Sequence, residues 1–255
     1  MSSRVIVEAV PCSGSWNMAV DEVLLEAAAA GQSCTLRIYE WDQATVSLGY
    51  FQSADDPSLE SRFPQLPKVK RLSGGGAILH HHEVTYSIAI SDGHPLAVSP
   101  GVLYEEVHRR VIALLGRLNV EARLRGEALK LATEPFLCFS RGDARDIVLG
   151  PHKIMGSAQR RRRGAVLQHG ALLLARSEYA PEFPGLAELA GFSHGRREVV
   201  DALQQALRDL LPGEPMITGL TEAERSQAEE LARTRYADLS GLGDRPVETS
   251  RSLDP

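Results

Sequence analysis

The 255-residue chain carries a formal net charge of -5, with 43% hydrophobic and 24% charged residues. That balance belongs to a soluble globular protein and excludes a low-complexity or fibrous chain; no apolar run is long enough to span a bilayer, and the first residues lack a signal-peptide core. Cys12, Cys34 and Cys138 are few and widely spaced, which excludes a disulfide framework and points to a reducing cytoplasm.

Arg4 to Val10 alternates weakly and reads as a strand. In SGSWNMAVDEVLLEAAAAG, Ser15 offers a cap, alanines fill the back half and Gly31 stops the element, which predicts a helix over about 16–30. TLRIYEW and ATVSLGYFQ are rich in β-branched and aromatic residues and are separated by Asp42 and Gln43, so they predict a strand pair. Pro57, Pro64 and Pro67 mark a loop with room for one short helical turn. Next, RLSGGGAILHHHEVTYSI sets an arginine and three glycines before an alternating segment that reads as one strand over 77–90. Ser99-Pro100 opens a helix, with proline at the favoured first position and apolar residues recurring from Val102 to Leu118. VEARLR predicts a strand, and 138–175 predicts several strands with a hairpin over Arg160–Arg163. Two helices close the chain, at about 197–211 and 221–239, the second with a Thr221-x-x-Glu224 capping box. From Ser240 onward glycine, proline and charge predict a disordered tail. Strands and helices mix without regular alternation, which predicts an α+β domain over 1–239 and a tail over 240–255.

Four stretches carry candidate chemistry. Gly74, Gly75 and Gly76 weaken a strand, which a fold tolerates at a sharp turn or where a ligand lies on bare main chain. Their N–H groups can present a concave donor surface, and Arg71 can fork onto a phosphate or carboxylate; a plain strand bulge with a surface arginine is the alternative. On a continuous strand His80 and His82 share a face, but no nearby ligand cluster completes a metal site, so hydrogen-bonded pocket histidines are the expectation and no metal is assigned. Cys138 is either a packed thiol or a nucleophile, and the second role needs a nearby cation or N–H dipoles to stabilise the thiolate. Lys153 is one of only four lysines and lies between Gly150-Pro151 and Gly156, where the main chain can bring its ammonium to a ligand. The Arg160–Arg163 run is either a solvated hairpin tip or an attraction for acidic partner domains; without interleaved aromatics, on an acidic chain, it does not suggest nucleic acid.

RLSGGGAILHHHEVTYSI together with HKIMGSAQRRRRGAVLQHGALLL resembles the two signature blocks of the lipoate–protein ligase, octanoyltransferase and biotin ligase superfamily. NMAVDE, RIYEW and SLGYFQ fit as well, so the likeness runs over about 13–175. It implies an α+β catalytic domain with a curved mixed sheet flanked by helices, in which the glycine segment and the lysine loop line one acyl pocket. Arg71, Ser73 and the three glycines fall on the ligand-binding block and His80 closes it. Lys153 matches the lysine that holds the acyl carbonyl or adenylate, with Gly156 and Ser157 after it; Gln168, His169 and Gly170 match the second strand of the pocket. Cys138-Phe139 matches the nucleophile position of the cysteine-dependent, ligase-like octanoyltransferases, where Lys153 would supply the cation. The implied reaction moves an octanoyl or lipoyl group from acyl carrier protein, through a cysteine thioester, to a lysine of a lipoyl domain. The glycine-cleavage H protein and 2-oxoacid dehydrogenase subunits are such acceptors. No cofactor, nucleic acid or membrane enters this reading. Arg145-Asp146-Ile147 resembles the ligase form instead, and RYADLSGLG departs from the family's closing pattern. The alternatives are an ATP- and Mg-dependent ligase acting through lipoyl-adenylate, and a non-catalytic acyl-binding subunit of a two-part ligase.

Overall fold

Two sheets of unequal size organise residues 2–240, the part of the chain that the computed structural model describes. In chain order the elements are β1 (Ser2–Val7), α1 (Gly14–Ala29), β2 (Ser33–Tyr39), β3 (Thr45–Leu48), α2 (Pro57–Arg62), β4 (Lys68–Lys70), β5 (Ile78–His80) and β6 (Glu83–Ile90). Then come α3 (Pro100–Arg117), β7 (Arg123–Leu124), β8 (Ile147–Leu149), β9 (His152–Arg162), β10 (Ala165–Leu173), α4 (Leu186–Ala190), α5 (Arg196–Arg208), β11 (Met216–Ile217) and α6 (Glu222–Thr234). The large sheet is mixed, with order β11-β1-β2-β6-β10-β9-β8-β7; the small one is β4-β3-β5.

Helices cover both faces of the large sheet. Apolar residues of α3 and α5, such as Leu103, Val107, Leu203 and Leu207, pack with Leu36, Ile88 and Val166 on one side. On the other, α1 packs against Ala89 and Leu167 and is itself covered by Ala228 of α6. Sandwiched in this way, α1 is buried on nearly every side, which suits its alanine-rich sequence. This is the mixed α+β architecture that the sequence predicts.

Several boundaries differ from the sequence-based expectation. Ser13, not Ser15, caps α1 by accepting from the Trp16 N–H. The segments TLRIYEW and ATVSLGYFQ do not pair: β2 joins the large sheet between β1 and β6, while β3 centres the small one. The predicted strand over 77–90 is broken into β5 and β6, which belong to different sheets. Glu83 makes that corner, its carboxylate bonding the His80 ring and, at 2.8 Å, the His81 N–H. VEARLR contributes only two strand residues, and α6 ends at Thr234, short of Leu239. Ser240 still bonds to the Leu66 carbonyl and Asp238, and the rest of the expected tail lies outside the described residues. No helix among the described residues is long and apolar enough to cross a membrane.

Candidate active site

Strand register sets out the floor of a cavity. Ala158, His169, Ser87 and Arg37 are successive neighbours across β9, β10, β6 and β2, and Gly156, Ala171, Thr85 and Tyr39 form the next row on the same face. Gly156, Ala158 and Ala171 are small, so the sheet leaves a slot there, and the β3 and β5 side closes over it with Ser47, Ile78 and His80. Met18 and Trp41 line it too, as do Gly74, Gly75, Cys138 and Phe139. The cavity holds about 530 Å³ of empty space, its mouth included, and is lined mainly by apolar atoms. A wider groove continues past Gly74 and Gly75 toward Tyr104 and Arg145.

The glycine run is a turn, not a strand bulge. Gly75 has φ +92°, a region open chiefly to glycine, and a Cβ on the facing Gly49 would fall 2.0 Å from the Gly75 carbonyl oxygen. Arg71 braces the turn from inside. Its guanidinium donates to the Ser47 carbonyl (2.8 Å), the Gly74 carbonyl (2.9 Å) and the Gly76 carbonyl (2.6 Å), and burial pulls its pKa down to about 10. The expected fork onto a phosphate or carboxylate is therefore directed at main chain instead. The N–H groups of the three glycines donate to no group among the described residues.

Cys138 sits in a single helical turn, its N–H bonded to the Ala77 carbonyl at 2.7 Å. The ammonium of Lys153 lies 3.7 Å from the Cys138 sulfur, 3.3 Å from its carbonyl oxygen and 3.0 Å from Asp146. It reaches there across Gly156, where a Cβ would stand 2.6 Å from the lysine Cε and 2.8 Å from Nζ. Burial raises the pKa of Asp146, an effect that the lysine charge opposes.

Both pocket histidines are held in hydroxyl–imidazole–carboxylate chains. His80 bonds Ser47 Oγ at 2.8 Å and Glu83, and stacks on Trp41 with ring centroids 3.7 Å apart; burial lowers its pKa. His169 bonds Ser73 Oγ on one side and Asp21 Oδ2, at 3.0 Å, on the other. Asp21 descends from α1 onto the row of Arg37, Ser87 and His169. Burial works to raise its pKa, but the His169 hydrogen bond and the charges of His169 and Arg37 outweigh that and lower it.

Not every residue named from the sequence faces the cavity. Gln168 points to the opposite sheet face, where it donates to Tyr86 OH at 2.7 Å and accepts from Gln159. Gly76 turns toward Arg141 and the Phe136 carbonyl, and Ser73 touches the cavity through His169. Ser157 bonds at 2.7 Å to both Tyr86 OH and the buried His108. His80 and His82 do not share a face; His82 stacks on His81 beside Glu178, outside the cavity. The arginine run divides: Arg162 pairs with Glu22 and Glu26, and Arg161 donates to the Ala97 carbonyl. Sequence reasoning missed Asp21, Glu83 and His108, and gave Asp146 no part in a site. A carboxylate set among the apolar residues of a helix, as Asp21 is in α1, is the signal available for such groups.

The catalytic-domain model of the lipoyl protein ligase A/B family matches residues 13–214. The chain belongs to that family. Within it, the octanoyltransferase LipM of Kyrpidia tusciae is 32% identical, over 89% of this chain and 93% of its own. The LipM of Brevibacillus brevis is 30% identical over 91% and 95%. The T. acidophilum protein Ta0514, a putative lipoate protein ligase by name, superposes with a TM-score of 0.70 at 25% identity, over 91% of this chain and 94% of its own. An ATP-bound lipoate-protein ligase A superposes with a TM-score of 0.72 at 24% identity over 92% and 95%, a likeness of fold alone.

Proposed function

We propose that this octanoyltransferase works through a thioester on Cys138, taking its acyl group from acyl carrier protein and passing it to a lysine of a lipoyl domain. The observation that carries this reading is the Lys153 ammonium 3.7 Å from the Cys138 sulfur, at a cavity walled by Gly74 and Gly75. A fixed cation stabilises a thiolate, the form that attacks. The thiolate adds to the donor's thioester carbonyl. Lys153 and the free N–H groups of the glycine turn stabilise the oxyanion, a contribution of several kcal/mol in comparable sites. Collapse expels the carrier's thiolate, which takes a proton from solvent. The acceptor amine, having lost one proton, then adds to the acyl-enzyme; its nitrogen releases a second proton to solvent, the Cys138 thiolate leaves and an amide forms. Thioester to amide runs downhill, so the reaction needs no ATP. The commitment of Arg71 to main-chain carbonyls weighs against the adenylate-forming alternative to the extent that it counts Arg71, with the glycines and Lys153, among the groups that hold the phosphate.

Incubation with octanoyl carrier protein tests the reading by intact mass. One octanoyl group is expected on the wild type and none on Cys138→Ala. A wild type without adduct, or a Cys138→Ala variant that keeps it, overturns the thioester route. Pyrophosphate release from lipoate and ATP would establish the ligase instead.

A further inference from the structure

The rim of the cavity carries an exposed aromatic pair that the acyl chemistry does not use. Phe51 is 87% exposed and Tyr50 39%, and their rings meet edge to face at 5.1 Å. The turn that carries them is rigid. Tyr50 N–H donates to the Ser73 carbonyl at 2.9 Å, and the Gln52 side chain bonds both the Gly49 N–H and the Phe136 carbonyl. Gly49 lies directly on the glycine turn, and a Cβ at Gly74 would touch the Phe51 ring at 3.9 Å. Arg160, two residues beyond Ala158 on β9, places its guanidinium 5.0 Å from the Tyr50 ring centroid. It has no carboxylate partner among the described residues. A rigid aromatic next to an arginine is the composition of an interaction hot spot.

We propose that Tyr50, Phe51 and Arg160 dock the acceptor domain, a partner that must present its substrate lysine on an exposed segment with acidic surface beside it. The proposal rests on the acyl-transfer reading above. Reach selects the acceptor over the donor. A lysine side chain spans about 6 Å from main chain to amine, so the acceptor's own backbone must settle on the rim for its amine to meet the thioester. The donor's thioester hangs on a far longer flexible arm and sets no such demand. The unpaired Arg160 cation selects an acidic surface.

Measuring the half-reactions separately tests this. Phe51→Ser and Arg160→Glu are each expected to raise the lipoyl-domain concentration for half-maximal discharge of octanoyl-enzyme by about tenfold or more. Acylation by octanoyl carrier protein, and discharge by hydroxylamine, which needs no docking, should stay within about twofold. Slower acylation with unchanged discharge would assign the spot to the donor and overturn the proposal; unchanged lipoyl-domain discharge in both variants would also overturn it. Calorimetric binding of the lipoyl domain to Cys138→Ala reads the surface without any acyl chemistry. If the wild type forms no octanoyl-enzyme, the transfer reading falls, and the docking proposal then stands only if both substitutions weaken that binding.

Discussion

Lys153 meets Cys138 by passing over a residue that has no side chain. A Cβ at position 156 would occupy the space of the lysine's Cε and Nζ, so Gly156 is what lets the ammonium stand 3.7 Å from the sulfur. Gly156→Ala is therefore expected to displace the ammonium while leaving the strand intact. A misplacement of about 1 Å can cost on the order of 100-fold in rate. Acyl-enzyme formation followed by rapid-quench mass spectrometry should fall by at least about tenfold. An unchanged rate would show that the approach over Gly156 is dispensable.

Removing the cation itself goes further. Lys153→Met keeps the length of the side chain and loses the charge, leaving the buried Asp146 with the Asp143 N–H and Arg125 but without the ammonium. Alkylation of Cys138 by iodoacetamide at neutral pH is expected to slow by about tenfold or more, in step with acylation. Lys153→Arg should retain part of both rates. Alkylation at the wild-type rate in Lys153→Met would exclude the ammonium as the thiolate's partner.

Asp21 supports the fold beneath the site. Its two oxygens accept from Arg37 (3.3 Å), Ser87 (2.8 Å) and Tyr39 (3.1 Å), besides His169. Asp21→Ala leaves the Arg37 charge buried with one partner fewer, and loss of about 3–5 kcal/mol is expected in chemical denaturation. Asp21→Asn, which keeps the shape and part of the bonding, should lose less. Arg37 also donates to Glu8 (2.9 Å) and to the Asn17 side chain (2.8 Å), and a loss below about 1 kcal/mol for the alanine variant would show that these satisfy it without Asp21.

His108 gives the fold a pH dependence of known sign. Burial depresses its pKa to about 4, while its bonds to the Arg145 carbonyl and Ser157 hold the neutral ring in place. Between that value and the unfolded pKa of about 6.5, the unfolded chain binds the extra proton. The contribution is thus fully present above about pH 6.5 and is lost as pH falls toward 4, by at most about 1.4 kcal/mol per unit. His108→Gln should flatten that limb in a plot of unfolding free energy against pH; a slope equal to wild type's would rule His108 out as its source.

Local signals made much of this molecule readable in its sequence. Ser99-Pro100 marks the start of α3, Thr221 and Glu224 form the reciprocal cap of α6, and the glycine run and the lysine loop stood out by composition. What escaped depends on contacts distant in the chain. The corner at Glu83 looks like ordinary strand alternation, because the residues of β5 and β6 fit either sheet and only the tertiary fold separates them. The row of Arg37, Ser87 and His169 becomes visible only once three strands are in register. The family resemblance places Gln168 in the pocket along with its neighbours, but a strand alternates faces, so it cannot share the side of His169.

The Arg71-braced turn has a consequence for how specificity can change in this scaffold. Where Gly74 and Gly75 line the slot they offer amide atoms alone, and Gly75 adopts a backbone shape that resists any side chain. Mutation has little to work with at Gly75. A shift in the preferred acyl length is therefore written on side chains that line the slot, such as Met18, Ala158 and Ala171, where one added or removed methyl group alters the room available.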